Sequence, residues 1–102
     1  MKRAYVCSPF RAETEEKILR NIGRAIQWGE WLRSYKKSPA IPHLASVSRY
    51  GLYGNNKKVT ILDDMLLGAC DVVYVFGKRI SDGMRHEIEL SQKLKIKIKY
   101  VP

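Results

Sequence analysis

The segment Asp71–Gly77, with Val72, Val73, Tyr74, Val75 and Phe76 at its centre, constrains this chain more than any other. It is apolar and β-branched over a strand's length, and it ends at a glycine with Lys78 and Arg79 beside it. Ser81-Asp82-Gly83-Met84-Arg85-His86-Glu87 then opens a helix and sets one carboxylate, Glu87, a turn inside it. A strand running straight into a helix points to a parallel α/β sheet, where ligands bind at that junction.

The rest of the chain keeps the alternation. Ala4–Cys7 reads as a short buried strand that breaks at Ser8-Pro9. A helix is predicted from about Thr14 to Tyr35, with Glu13, Glu15 and Glu16 at its positive end and Lys36 and Lys37 at its negative end. Ile18, Ile22, Ala25, Ile26, Trp28 and Leu32 recur at helical spacing and form the stripe expected to lie on the sheet. Gly23 and Gly29 either weaken this helix or admit close packing.

Ser38–Leu44 reads as a second short strand near a sheet edge, with prolines at its ends. Residues 46–58 carry turn formers, Tyr50, Tyr53 and three cations without periodicity, and read as a mobile loop able to close over a ligand. A helix over Val59–Ala69, the Asp71–Gly77 strand, a helix over Ser81–Leu94 and a last strand, Ile96–Val101, complete a βαβαβαβ order. The fold class that follows is α/β: a flavodoxin/Rossmann-like three-layer domain spanning residues 1–102, with a mostly parallel sheet of about four strands and helices on both faces.

Length and composition narrow the function classes. A chain of 102 residues holds one modest core. No apolar run approaches bilayer length, and Cys7-Ser8-Pro9 interrupts the N-terminal strand too early for a signal peptide, so a soluble cytoplasmic protein without membrane association is expected. Cys7 and Cys70 lack metal-ligand spacing and read as reduced, buried thiols.

The formal charge of +9 is spread along the chain. Lys93, Lys95, Lys97 and Lys99 alternate with Leu94, Ile96, Ile98 and Tyr100, as in an edge strand guarded against sheet-to-sheet pairing. Lys17, Arg20 and Arg24 fall at helical spacing and read as a solvated face. Arg11, Arg49, Lys57, Lys58, Lys78, Arg79 and Arg85 lie in predicted loops or at element ends, from which cations reach a phosphate. No recognised nucleic-acid motif accompanies them, which disfavours a nucleic-acid partner.

Three strand ends meet at one rim of such a sheet: Cys7-Ser8-Pro9-Phe10-Arg11, His43, and Gly77 to Gly83. Ser8 and the amides after it either cradle an anion together with Arg11 or form a plain strand-to-helix turn. His43 either touches a ligand or is structural. His86 is expected to point away from Glu87, so no metal site is indicated. Tyr50 and Tyr53 either stack on a base or pack on a partner subunit. A carboxylate such as Glu87 can stabilise developing positive charge or act as a nucleophile, and an acid such as Asp63 can give a proton to a leaving group. The plain alternative for Glu87 is a solvated helix residue paired with a cation.

Taken together, the strand running into Tyr5-Val6-Cys7-Ser8-Pro9-Phe10-Arg11, Asp63 ahead of Leu66 and Ala69-Cys70-Asp71, and Ser81-x-Gly83-x-x-x-Glu87 resemble the nucleoside 2-deoxyribosyltransferase-like superfamily in order and spacing. That superfamily includes 2'-deoxynucleoside 5'-monophosphate N-glycosidases and many small phage and bacterial domains. The resemblance extends from Tyr5 to about Val101. It implies that Glu87 is the nucleophile, that Tyr5 orients it, and that Asp63 serves the base, with the sequence leaving open whether Asp63 or its neighbour Asp64 is the exposed one of the pair.

The resemblance further implies that Ser81, where the transferases usually carry aspartate, contacts a 5'-phosphate. The rim residues Cys7, Ser8, Pro9, Phe10, Arg11, His43 and Gly77, with Gly83 and Met84 beside Ser81, are the candidates to surround the substrate, and neither a cofactor nor a metal is expected. The transferases complete their pocket with groups from a neighbouring subunit, often from a C-terminal extension. Here Pro102 follows the last strand directly, which counts against transfer and leaves hydrolysis, another ribosyl substrate or simple binding. The resulting expectation is an enzyme that cleaves the base–sugar bond of a (deoxy)nucleoside 5'-monophosphate or related nucleotide, assembled as a homodimer or larger homo-oligomer. A non-catalytic module that binds a nucleotide or an ADP-ribose-like signal is the first rival, and a basic nucleic-acid-binding domain is the second.

Overall fold

Caps written into the sequence mark the helix starts. The Thr14 side chain accepts a hydrogen bond from the Lys17 amide at 3.2 Å, Asn55 accepts from the amides of Lys57 and Lys58, and Ser81 accepts from that of Met84. Residues 1–102 are described by a computed structural model. The elements run β1 (Arg3–Cys7), α1 (Glu15–Ser34), β2 (Ser38–Ala40), α2 (Pro42–Tyr50), α3 (Asn56–Gly68), β3 (Val72–Phe76), α4 (Asp82–Lys93) and β4 (Lys97–Val101).

The strands form one four-stranded sheet in the order β2-β1-β3-β4, every neighbouring pair parallel. Tyr5 lies opposite Ala40 on one side and Val73 on the other, and Val73 lies opposite Ile98. All carboxyl ends of the strands therefore emerge on one rim. Every residue of β3 is buried. Because burying such a side chain contributes roughly 1.5–3 kcal/mol, β3 anchors the sheet and β4, mostly exposed, does not.

Two cores flank the sheet, as a strand covered on both sides requires. On one face Ala4, Val6, Val72, Tyr74 and Phe76 pack with Ala25 and Leu32 of α1, and Trp28 stacks on Phe76 with ring centroids 4.9 Å apart. On the other, Tyr5, Cys7, Val73 and Val75 pack with Leu67 of α3 and Met84 of α4. The predicted α1 stripe holds except at Ile26, which is exposed. A Cβ at Gly29 would come within 2.6 Å of the Ile41 side chain, so this glycine lets α1 close onto the segment after β2. No helix is long and apolar enough to cross a membrane.

Three expectations change. The second strand stops at Ala40, and Pro42 starts a helix at its first position, where a missing N–H costs nothing. Most of the predicted 46–58 loop is likewise helical, being the end of α2 and the start of α3 with a short turn between them. The order is thus βαβααβαβ. Of the four alternating lysines only Lys97 and Lys99 lie in β4, while Lys93 ends α4 and Lys95 sits in the turn at φ 58°.

Candidate active site

Met84, Glu87 and Ser91 form the inward face of α4, one turn apart, so a carboxylate occupies a row otherwise fit for core residues. Glu87 is only 8 % exposed. Opposite it, Tyr5 and Cys7 point to the same side of β1, two residues apart. Tyr5 Oη donates to Glu87 Oε2, and Cys7 Sγ donates to Oε1 at 3.4 Å. Each carboxyl oxygen thus meets one buried donor.

Electrostatics follow burial. Glu87 is pushed up to about 8, chiefly because burial penalises its charge; the charge of Asp63 adds to this, while the hydrogen bonds from Tyr5 and Cys7 oppose it. Burial, and then the charge of Glu87, hold both the Tyr5 phenol and the Cys7 thiol in their protonated, donating forms. Cys7 is therefore a buried thiol, as expected, and also a ligand of the carboxyl group.

Glu87 opens on a cavity of about 650 Å³. α3 forms the opposite wall with Asn56, Thr60, Asp63 and Asp64. Asp63 Oδ1 is buried and has no hydrogen-bond partner. A carboxylate so placed is costly to ionise, and burial, reinforced by the charge of Asp64, pushes Asp63 up to about 7 against the pull of Arg11 and His86. Asp64 is the partnered neighbour: it accepts a hydrogen bond from His86 Nε2 at 3.0 Å.

The rim is built from the β1–α1 connection and α2. His43 Nε2 lies 3.0 Å from the Pro9 carbonyl and 3.2 Å from Ser8 Oγ. A carbonyl only accepts, so the network assigns the ring proton to Nε2 and leaves the Ser8 O–H free to donate. Burial lowers His43 to about 4, and the ring stays neutral. Phe10 stacks on His43, with centroids 4.8 Å apart, and the Arg11 guanidinium lies over the Phe10 ring, 5.7 Å from its centroid. Arg11 also donates to the Gly54 carbonyl at 2.9 Å and tethers the α2–α3 turn to the rim.

Of the predicted residues, Ser8, Phe10, Arg11, His43, Asp63, Ser81, Gly83, Met84 and Glu87 line this cavity. Tyr5 and Cys7 stand behind Glu87 and act on it. Pro9 and Gly77 line an adjoining cavity instead. Gly77 has φ +88°, a left-handed turn that glycine adopts without strain, and its N–H closes the strand end onto the Val101 carbonyl at 2.8 Å. Tyr50 and Tyr53 line neither cavity.

His86 corrects an expectation: it lines the Glu87 cavity because its bond to Asp64 swings it across to α3. Asn56 and Thr60 are not among the expected site residues, and Asp64 is among them only as the alternative to Asp63. Their spacing of four residues along one helix, with Asp63 beside them, is a polar stripe visible in the sequence.

A family model described as "Domain of unknown function (DUF7768)" matches residues 2–101. The chain belongs to the DUF7768 family. Among solved structures, this DUF7768 domain is similar to the 2-deoxyribosyltransferase of the psychrotolerant bacterium Bacillus psychrosaccharolyticus, with a TM-score of 0.67 and 20% identity over 96% of this chain and 70% of that one. The fold is therefore nucleoside 2-deoxyribosyltransferase-like, in agreement with the motifs read from the sequence. No curated protein matches the chain.

Proposed function

We propose that this DUF7768 domain binds a nucleotide and hydrolyses its N-glycosidic bond, with Glu87 as nucleophile, Asp63 as proton donor to the base, and Ser81, Ser8 and Arg11 around the 5'-phosphate. One observation carries the reading. The buried Glu87 carboxyl, held by Tyr5 and Cys7, shares a cavity with Asp63, whose Oδ1 is buried without a partner in the protein. The kinship in fold with a 2-deoxyribosyltransferase supports it.

In the first step a Glu87 oxygen bonds to C1' as the C1'–N bond breaks, and the base nitrogen takes that electron pair and the Asp63 proton. Asp63, now ionised, then takes a proton from water; the hydroxide bonds to C1' and Glu87 leaves as carboxylate. Burial pushes Asp63 up to about 7 and Glu87 up to about 8, so both carboxyls hold protons near neutral pH; the reaction draws on the state with the proton on Asp63, which the hydrogen bonds from Tyr5 and Cys7 to Glu87 favour. Ser81 caps α4 with its oxygen on the Met84 amide, at the positive end of the helix where an anion is favoured.

Incubation with a mixed panel of nucleosides and nucleotides, followed by mass analysis, tests the reading. Free base should appear from a 5'-monophosphate, and Glu87→Ala should abolish its release while the circular dichroism spectrum is retained. Unchanged release by that variant overturns the proposal. One observation favours nucleotide capture without cleavage: burial keeps much of Glu87 protonated at neutral pH, the form that is not nucleophilic. Tight calorimetric binding with no product would select it.

The proposal includes a homodimer or larger homo-oligomer, supported by the exposed Leu44 of α2 and Ile61 and Met65 of α3, helices that also contribute to the cavity wall. It also includes a reducing, cytosolic location, which suits two free buried cysteines.

A further inference from the structure

Lys17, Arg20 and Arg24, expected to be a solvated face of α1, form one wall of a second cavity of about 640 Å³. Lys78 and Arg79 of the β3–α4 connection face them, and Arg11 joins from the β1–α1 connection. Six cations from three separate segments thus surround one concavity, with only Glu13 and Asp82 as carboxylates in its lining. Lys17 is paired with Glu13 at 2.9 Å and Arg20 with Glu16 at 3.1 Å. Arg24, Lys78 and Arg79 form no ion pair.

Like charges gathered on a concave wall repel one another, and an anion of several charges relieves that repulsion. The three α1 cations span seven positions, roughly 10 Å of helix, which suits a chain of phosphates better than a single one. Arg11, Ser81 and Asp82 belong to both cavities, so the two meet at the rim where the 5'-phosphate is placed.

We infer that the second cavity receives the outer phosphates of a nucleoside di- or triphosphate whose sugar and base occupy the first. The inference rests on the first cavity being a nucleotide site. It makes substrate choice depend on phosphate number, with Arg24 and Lys78 as specificity-determining residues distant from Glu87.

The test is equilibrium binding, which does not require turnover. Calorimetry at about 0.1 M salt would compare a nucleoside 5'-mono-, di- and triphosphate, inorganic tripolyphosphate, and a 5'-phosphorylated single-stranded oligonucleotide. Affinity should rise at least about fivefold from mono- to triphosphate, a modest step because the cations are exposed and screened. Tripolyphosphate should compete with the triphosphate. Arg24→Ala combined with Lys78→Ala should remove that step while leaving monophosphate affinity and its base release as in the wild type.

Equal affinity for mono- and triphosphate, or a step that survives the double substitution, overturns the inference. Preference for the oligonucleotide through the same two residues also overturns it and assigns the cleft to a nucleic-acid backbone. A phosphate-dependent step without base release would leave this inference standing and sink the glycosidase reading alone.

Discussion

Tyr5 Oη donates a hydrogen bond to Glu87 Oε2, joining β1 to α4 across 82 positions of the chain. The bond favours the carboxylate form and opposes the burial that pushes Glu87 upward. Cys7, two residues further along β1, repeats the contact more weakly on the other oxygen. A nucleophile in a water-poor cavity needs such donors both to ionise and to face the substrate.

Tyr5→Phe removes one donor and keeps the packing of the ring. A hydrogen bond to a charged group contributes about 1.5–3 kcal/mol, so base release at pH 7 should fall roughly 10- to 100-fold. Glu87 should titrate still higher, moving the ascending limb of the pH–rate profile to higher pH. A rate loss with an unmoved limb would assign Tyr5 a packing role only.

Glu87 also governs stability against pH. Its folded-state value of about 8 lies above the ordinary 4.5, so the folded protein holds this proton more tightly than the unfolded chain does. The associated stability is complete below pH 4.5 and is lost as pH rises through about 8. Glu87→Gln, which never ionises, should therefore gain on the wild type across that window. At pH 9 its Tm should be higher by at least about 4 °C, the shift that ~1 kcal/mol produces in a small domain, with the gain vanishing near pH 4. Thermal denaturation at four or five pH values would show a constant difference if Glu87 were ordinarily solvated.

Ser81→Asp tests the proposed phosphate contact separately from folding. Aspartate caps a helix as well as serine does, so Tm should stay within about 4 °C of the wild type. A negative charge beside the phosphate costs on the order of 1–4 kcal/mol at contact distance. The KM for a 5'-monophosphate should rise at least about tenfold while that for the free nucleoside does not. Equal effects on both substrates would remove Ser81 from the phosphate site.

The sequence by itself determined the parts of this domain that depend on neighbours in the chain. The apolar run of β3, the stripe of α1 and the capping residues Thr14 and Ser81 are local signals, and each marks its element to within a few residues. α2 escaped notice because its buried face is His43 and Ser46, polar residues that leave no apolar periodicity, and Pro42 reads as a breaker until a helix is seen to begin on it.

Tertiary structure alone decided what these elements do together. Parallel pairing of β1 with β3 sets Tyr5 and Cys7 beneath α4, and only then does Glu87 become a buried carboxyl held by two donors. The packing of α1 against the sheet likewise turns three cations at helical spacing into the wall of a cavity shared with the β3–α4 connection. Both bring together residues far apart in the chain: burial gives Glu87 its chemistry, and the gathering of exposed cations gives the second cavity its charge.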